Sequence, residues 1–181
     1  LSNMSEVQQV LEIIDETKEN LRREQKRFDD AIPVGGMIEV PAAAVSVEQF
    51  ADKLDFLSIG SNDLIQYTLA IDRIDDAVNY LYDPIHPAIL RLIRNIVKVS
   101  DKAGIPVSIC GELAGNSRFT RLLLGLDLRI FSMDDAGSLL EIKKVVMHTN
   151  VAKARRQVDK MLRTSDPAAL RRQLEHLNSS A

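Results

Sequence analysis

The stretch Gly36-Met37-Ile38-Glu39-Val40-Pro41 is a short apolar run cut off by a carboxylate and a proline. Further along, Ser58-Ile59-Gly60-Ser61-Asn62-Asp63-Leu64 repeats the pattern, and the run over residues 105–109 ends in Cys110-Gly111-Glu112. Apolar runs that stop abruptly at acidic turns are how parallel α/β folds deliver carboxylates to the carboxyl ends of their strands, where such folds bind ligands. Two hard oxygen ligands and one thiol on three strand ends point to a metal-assisted enzyme site.

Working outward from these runs, periodicity predicts the elements between them. Ser5 and Gln8 form a capping box, and Val7, Val10, Leu11, Ile14 and Leu21 mark one face of a helix that runs to about residue 28. A first strand covers 34–40 and stops at Pro41, which cannot extend a ladder. A helix over 42–54 leads to a second strand over 55–59, whose nearly continuous apolar character suits burial on both faces. Asn62 caps a short helix over 63–70, followed by a polar loop over 71–87. Ile89, Leu92, Ile93, Ile96 and Val97 define an amphipathic helix over 88–103, with Gly104 as its C′ residue. The third strand spans 105–109. Ser117 caps a helix through 124, Gly125 ends it, and a fourth strand covers 128–133. Helices follow over 136–148, 150–162 and 167–177, the last opened by Asp166 and Pro167.

A helix followed by four β-α units predicts a parallel α/β sheet. Four such units make the C-terminal half of a (β/α)8 TIM barrel, with extra C-terminal helices. The expected division is a half-barrel over 1–148 and a helical tail over 149–181. A chain that opens on a helix reads as part of something larger. Half a barrel leaves two strand edges and an apolar inner face to be covered, so a homodimer is expected.

Composition excludes several classes. A formal net charge of -3 gives no basic field for nucleic acid or acidic membranes. Aromatics at 4%, with no Trp, disfavour base-stacking platforms. The single cysteine cannot make an internal disulfide, which sets a reducing, cytoplasmic compartment as the default. No run is long enough or apolar enough for a membrane span. The basic residues of the tail, Lys153, Arg155, Arg156, Lys160, Arg163, Arg171 and Arg172, read as a solvated face opposite Val151, Val158, Met161 and Leu162.

Longer motifs carry a resemblance. Gly36 to Ala43, Phe56 to Arg73, Leu81-Tyr82-Asp83-Pro84-Ile85-His86-Pro87, Cys110-Gly111-Glu112-Leu113-Ala114-Gly115, Leu123-Leu124-Gly125-Leu126 and Phe131-Ser132-Met133 closely resemble the C-terminal PEP-binding barrel of the phosphoenolpyruvate-protein phosphotransferase family, enzyme I of the bacterial phosphotransferase system. The likeness runs from about residue 1 to 162 and implies strands five to eight of that barrel. It also implies transfer of a phosphoryl group from PEP to a histidine on another domain, giving pyruvate, and onward transfer to a phosphocarrier protein. The barrel's first half, with its arginines, is not in the sequence, so the chain alone is expected to be inactive in full turnover. Val40 stands where many members have Thr, and Ile130 where an acidic residue precedes the Phe-Ser-Met run. These departures suggest a divergent branch, such as the nitrogen-related regulatory one.

Glu39 and Asp63 match the family's magnesium ligands. Mg²⁺ takes one or two carboxylates plus substrate and water oxygens, and Mn²⁺ substitutes for it. On spacing alone, both carboxylates serve equally well as caps of the helices that follow. Asn62 is placed to donate to a phosphate oxygen, although its loop also reads as an ordinary strand-to-helix turn. Arg73 matches a phosphate-binding arginine of the family, a role for which a planar guanidinium suits; without the resemblance it reads as a surface ion pair. Cys110, a thiol at a strand end, fits a general acid that protonates the enolate left when PEP loses its phosphoryl group. The alternative for a lone cysteine is a small buried hydrophobe. Glu112 fits a residue that orients a neighbour or a water. None of His86, His148 and His176 has a partner at catalytic or metal-ligand spacing. Two rivals stand beside this reading: a barrel of the pyruvate phosphate dikinase or PEP synthase type, and a non-catalytic dimerisation module.

Overall fold

A computed structural model of the chain describes residues 1–133 and 136–179. Residues 134, 135, 180 and 181, which fall inside the predicted half-barrel and tail, lie outside the described residues. The architecture is α/β, with four parallel strands in one sheet in the order β1-β2-β3-β4, as half of a (β/α)8 barrel requires. The strands are β1 (Gly35–Ile38), β2 (Phe56–Gly60), β3 (Val107–Cys110) and β4 (Ile130–Phe131). Helix α1 (Met4–Arg23) precedes them, and α2 (Pro41–Val45) with α3 (Val47–Ala51) links β1 to β2. Between β2 and β3 come α4 (Ser61–Leu69), a 3-10 turn (Asn79–Leu81) and α5 (Pro87–Ala103). Helices α6 (Glu112–Gly115) and α7 (Ser117–Gly125) precede β4, and α8 (Ala136–Met147), α9 (Val151–Met161) and α10 (Pro167–Ser179) follow it.

The period-two alternation of strands decides which face is core. Ile38 pairs with Ile59 and Ile59 with Ile109; all three are fully buried beneath the helix layer. Against them pack Ile89, Ile93 and Ile96 of α5 and Phe50 of α3, also fully buried. The opposite row runs Met37, Ser58, Ser108, Ile130, with Ser108 Oγ donating to Ser58 Oγ at 3.1 Å. The inner face expected to be apolar is therefore mixed: small and polar in the middle, with exposed Met37 and Ile130 on the edge strands and Phe56 at the start of β2. Val158, Met161, Leu170, Leu174 and Leu177 of α9 and α10 belong to the same core cluster as the sheet. Gly125 lets α7 and α9 touch, since a Cβ there would lie 2.5 Å from Val158 Cγ2.

Several boundaries differ from the sequence reading, each for a local reason. The cap of α1 is Asn3, whose side chain accepts from Glu6 N at 3.1 Å, while Glu6 reaches back to Ser2 N at 2.8 Å. The reciprocal pair thus sits two residues earlier than Ser5 and Gln8. Helix α1 ends at Arg23 because Gln25 takes φ +54° and Lys26 N bonds Leu21 O. Pro41 opens α2 rather than merely ending β1, as proline suits a first helical turn. The helix expected over 42–54 is broken at Ser46 into two short ones. Asn116, not Ser117, caps α7, accepting from Arg118 N. Gly104 at φ +73° ends α5 as expected, and Asp166 caps α10 by accepting from Ala168 N and Ala169 N.

An ion network fixes the amino-terminal side of the sheet. Asp127, at φ +73° after α7, accepts from Arg94 of α5 at 2.7 Å, from Arg129 at 3.1 Å and from Arg155 of α9. Arg94 also bonds Asp159 at 2.7 Å. Burial pushes the Asp127 carboxyl up, but the hydrogen bond and charge of Arg155, with Arg94 and Arg129, outweigh it and leave the group below its ordinary range.

Candidate active site

Each strand ends where a chemistry-bearing residue begins. Glu39 is the residue after β1, and its carboxylate lies over the end of β2: Oε2 is 2.8 Å from where a Cβ of Gly60 would stand, and Met37 Sδ is 2.9 Å from the same point. A side chain at position 60 would therefore push Glu39 off the strand end. Asp63 stands in the first turn of α4. Neither carboxylate makes a hydrogen bond or ion pair with any described residue, and neither α2 nor α4 has a side-chain cap. Neither carboxylate therefore acts as a hydrogen-bonded cap, although Asp63 stands in the first turn of α4, where a carboxylate is favoured.

Cys110 closes β3 and pairs in register with Gly60. Its thiol lies 3.5 Å from Ile59 O and 4.0 Å from Met37 Sδ, half-buried on the inner side of the sheet. It is thus not the fully buried hydrophobe that a lone cysteine often is. Two hydrogen bonds clamp the β2 end to the β3 end: Ser61 Oγ donates to Cys110 O at 2.7 Å, and Asn62 Oδ1 accepts from Glu112 N at 2.9 Å. Asn62 therefore spans the strand ends instead of capping α4, which begins one residue earlier with Gly60 at its N-cap. With its oxygen engaged, its amide NH₂ group is left to donate.

Asn62, Cys110 and Glu112 line one groove of about 840 Å³, closed on the far side by Ser117, Ser132 and Glu141. Arg73, on the loop after α4, lies in a neighbouring cavity of about 440 Å³ with Tyr82, Asn79 and, again, Glu112. Its backbone N donates to Gln66 Oε1 at 3.3 Å, and its guanidinium is 3.9 Å from Glu112 Oε1, a contact too long for a hydrogen bond. Ser61, Gly111, Tyr82 and Met37 were not singled out by sequence reasoning. The signal for Tyr82 was its place inside the Leu81 to Pro87 run; Gly111 was bracketed by Cys110 and Glu112.

A divalent cation fits this donor set only in part-protein fashion. Among the described residues no cluster of three or more His, Cys, Asp or Glu side chains converges. Two unpartnered carboxylates on neighbouring strand ends suit Mg²⁺, which keeps waters and takes ligand oxygens, and do not suit a closed all-protein site. His86 is committed elsewhere: its Nδ1 accepts from Ala88 N at 3.2 Å as the cap of α5. His148 Nδ1 lies 2.7 Å from Lys144 O. Among the described residues no helix is long and apolar enough to cross a membrane.

The sequence is similar to known proteins over most of its length. The family of PEP-utilising enzymes, PEP-binding domain, matches residues 1–151. A protein of Cupriavidus necator named phosphoenolpyruvate-protein phosphotransferase is 47% identical over 177 residues, covering 96% of this chain and 30% of that protein. Proteins of the same name from Haemophilus influenzae and Listeria monocytogenes are 40% and 44% identical, over 96% and 81% of this chain and 30% and 25% of their own lengths. The chain thus spans less than a third of the curated relatives it matches. With the family covering most of its length, the chain belongs to the PEP-binding domains of PEP-utilising enzymes.

Proposed function

We propose that this chain is the PEP-binding part of a PEP-dependent protein-histidine phosphotransferase. The observation that carries the reading is the pair of unpartnered carboxylates, Glu39 and Asp63, at strand ends beside Cys110 and Asn62. Glu39 and Asp63 would hold Mg²⁺, which when bound supplies charge neutralisation for the carboxylate and phosphate of PEP. The Asn62 amide and the Arg73 guanidinium hold the phosphoryl oxygens in place for transfer. A histidine nitrogen from another domain forms the new P–N bond as the P–O bond to the enol oxygen breaks. The enolate that leaves takes the Cys110 thiol proton on its terminal carbon and becomes pyruvate. His86 Nδ1 caps α5 and His148 Nδ1 lies against Lys144 O, which supports an acceptor histidine on another domain.

Residues 1–148 carry this site, with 149–181 as a supporting helical tail. By itself the chain binds metal and PEP without completing turnover. In the working protein it pairs as a homodimer in the cytoplasm, and the phosphocarrier protein of the phosphotransferase system takes the phosphoryl group from the acceptor histidine. The relatives' name, phosphoenolpyruvate-protein phosphotransferase, favours this reading over a dikinase or PEP synthase. The retained thiol and carboxylates favour it over an inert dimerisation module.

The test is Mn²⁺ binding by electron paramagnetic resonance, with and without oxalate as a mimic of the enolate. Binding that tightens with oxalate in the native chain and vanishes in Glu39→Gln and Asp63→Asn is the expected result. A folded chain that takes up no Mn²⁺ in either condition refutes the metal-assisted reading.

A further inference from the structure

The Tyr82 hydroxyl is sealed from solvent and has no hydrogen-bond partner among the described residues. An unsatisfied buried hydroxyl is costly, and in native structures it calls for an explanation. Its surroundings supply one. Tyr82 walls the same cavity as Arg73 and Glu112, its ring packs against the core, and its backbone N is fixed to Asn79 O at 3.0 Å. Arg73 and Glu112 face each other at 3.9 Å without a hydrogen bond, and the side chains of both make none with any other described residue. Three polar side chains thus line one cavity without a hydrogen bond to any described residue, each on a backbone that is itself hydrogen-bonded.

We propose that Tyr82 is a positioning residue: its hydroxyl takes the Glu112 carboxylate when an anion occupies Arg73. This rests on the reading of Arg73 as a ligand for the phosphoryl group. In the free chain Glu112 is the counter-charge of Arg73, so an entering anion must displace it, and the displaced carboxylate stands beside a second negative group. A hydrogen bond from Tyr82 holds Glu112 aside and removes it as a competitor. Burial pushes the phenol up to about 12, with Glu112 and Asp63 adding to the rise and Arg73 opposing it. It thus keeps its proton, and its capacity to donate, throughout the neutral range. Tyr82 itself touches neither the anion nor the reacting atoms in this scheme.

The test is a double-mutant cycle on the full chain with Mn²⁺ bound, reading the affinity for PEP and, separately, for oxalate, which has no phosphoryl group. Tyr82→Phe is expected to weaken PEP about fivefold, the worth of one hydrogen bond, and to leave oxalate unchanged. In a Glu112→Gln background, where no charged competitor remains, Tyr82→Phe is expected to have no effect on PEP. A near-ultraviolet difference signal on adding PEP, present in the native chain and absent in Tyr82→Phe, reports the new hydrogen bond directly. Equal PEP binding by native chain and Tyr82→Phe overturns the inference and leaves the proposed function standing. Loss of PEP and oxalate together in Tyr82→Phe, or an undiminished loss of PEP in the Glu112→Gln background, marks a merely structural role and also overturns it. A native chain that binds neither ligand overturns both readings.

Discussion

Gly111 separates Cys110 from Glu112 with φ +83° and ψ -167°, a region that glycine alone occupies without strain. A Cβ there would lie 2.7 Å from Asn62 Oδ1 and from Ser61 Oγ, the two atoms that clamp the ends of β2 and β3. Gly104 offers a control within the same chain. It has φ +73° and ψ 21°, and nothing lies within 4 Å of an added Cβ. Gly104→Ala therefore carries only the left-handed penalty, about 1 kcal/mol. For Gly111→Ala, backbone strain of about 2 kcal/mol adds to roughly 1 kcal/mol for each clamp bond lost, or about 4 kcal/mol in all. Urea unfolding followed by circular dichroism reads the difference. At a slope of about 2 kcal/mol per M, the midpoint falls by about 2 M for Gly111→Ala and by about 0.5 M for Gly104→Ala. Equal shifts for the two substitutions would refute the claim that the strand ends are clamped through Gly111.

Asp127→Asn removes the charge that Arg94, Arg129 and Arg155 share, and is expected to cost about 2 kcal/mol in thermal or urea unfolding. Because the folded carboxyl sits below its ordinary value of 3.8, its stabilisation is complete above that pH and is lost as pH falls through the lower folded value. Asp127→Asn should lack that acid-sensitive component, so stability–pH curves that run parallel below pH 3.8 would count against the network. The reverse of the step proposed for Cys110 is exchange of pyruvate methyl protons with D₂O in the presence of Mn²⁺. Proton NMR should show this exchange slowed by about 100-fold or more in Cys110→Ala, while Mn²⁺–oxalate binding persists; undiminished exchange would remove Cys110 as the proton donor.

The sequence determined the order and kind of the elements. Strands and long helices write themselves into local periodicity, so the four parallel strands and the amphipathic α5 were legible, as were Gly104 and Asp166 at helix ends, where a single residue type satisfies the backbone. The strand-end positions of Glu39, Asp63 and Cys110 followed from the same logic, because an apolar run that stops at a polar residue marks its own boundary. Tertiary structure alone decided what those ends do to one another. Asn62 could as well cap its own helix as bond Glu112 N fifty residues away, and only the pairing of β2 with β3 selects the second. Ser5 and Ser117 look like plausible helix caps in isolation, yet Asn3 and Asn116, two residues and one residue earlier, make the capping bonds. Tyr82 lay inside the Leu81 to Pro87 run, but nothing in that run assigned it a role. It shares a cavity with Arg73, from the same connection, and with Glu112, which follows β3 and joins them because parallel strands bring successive loops to the same end of the sheet.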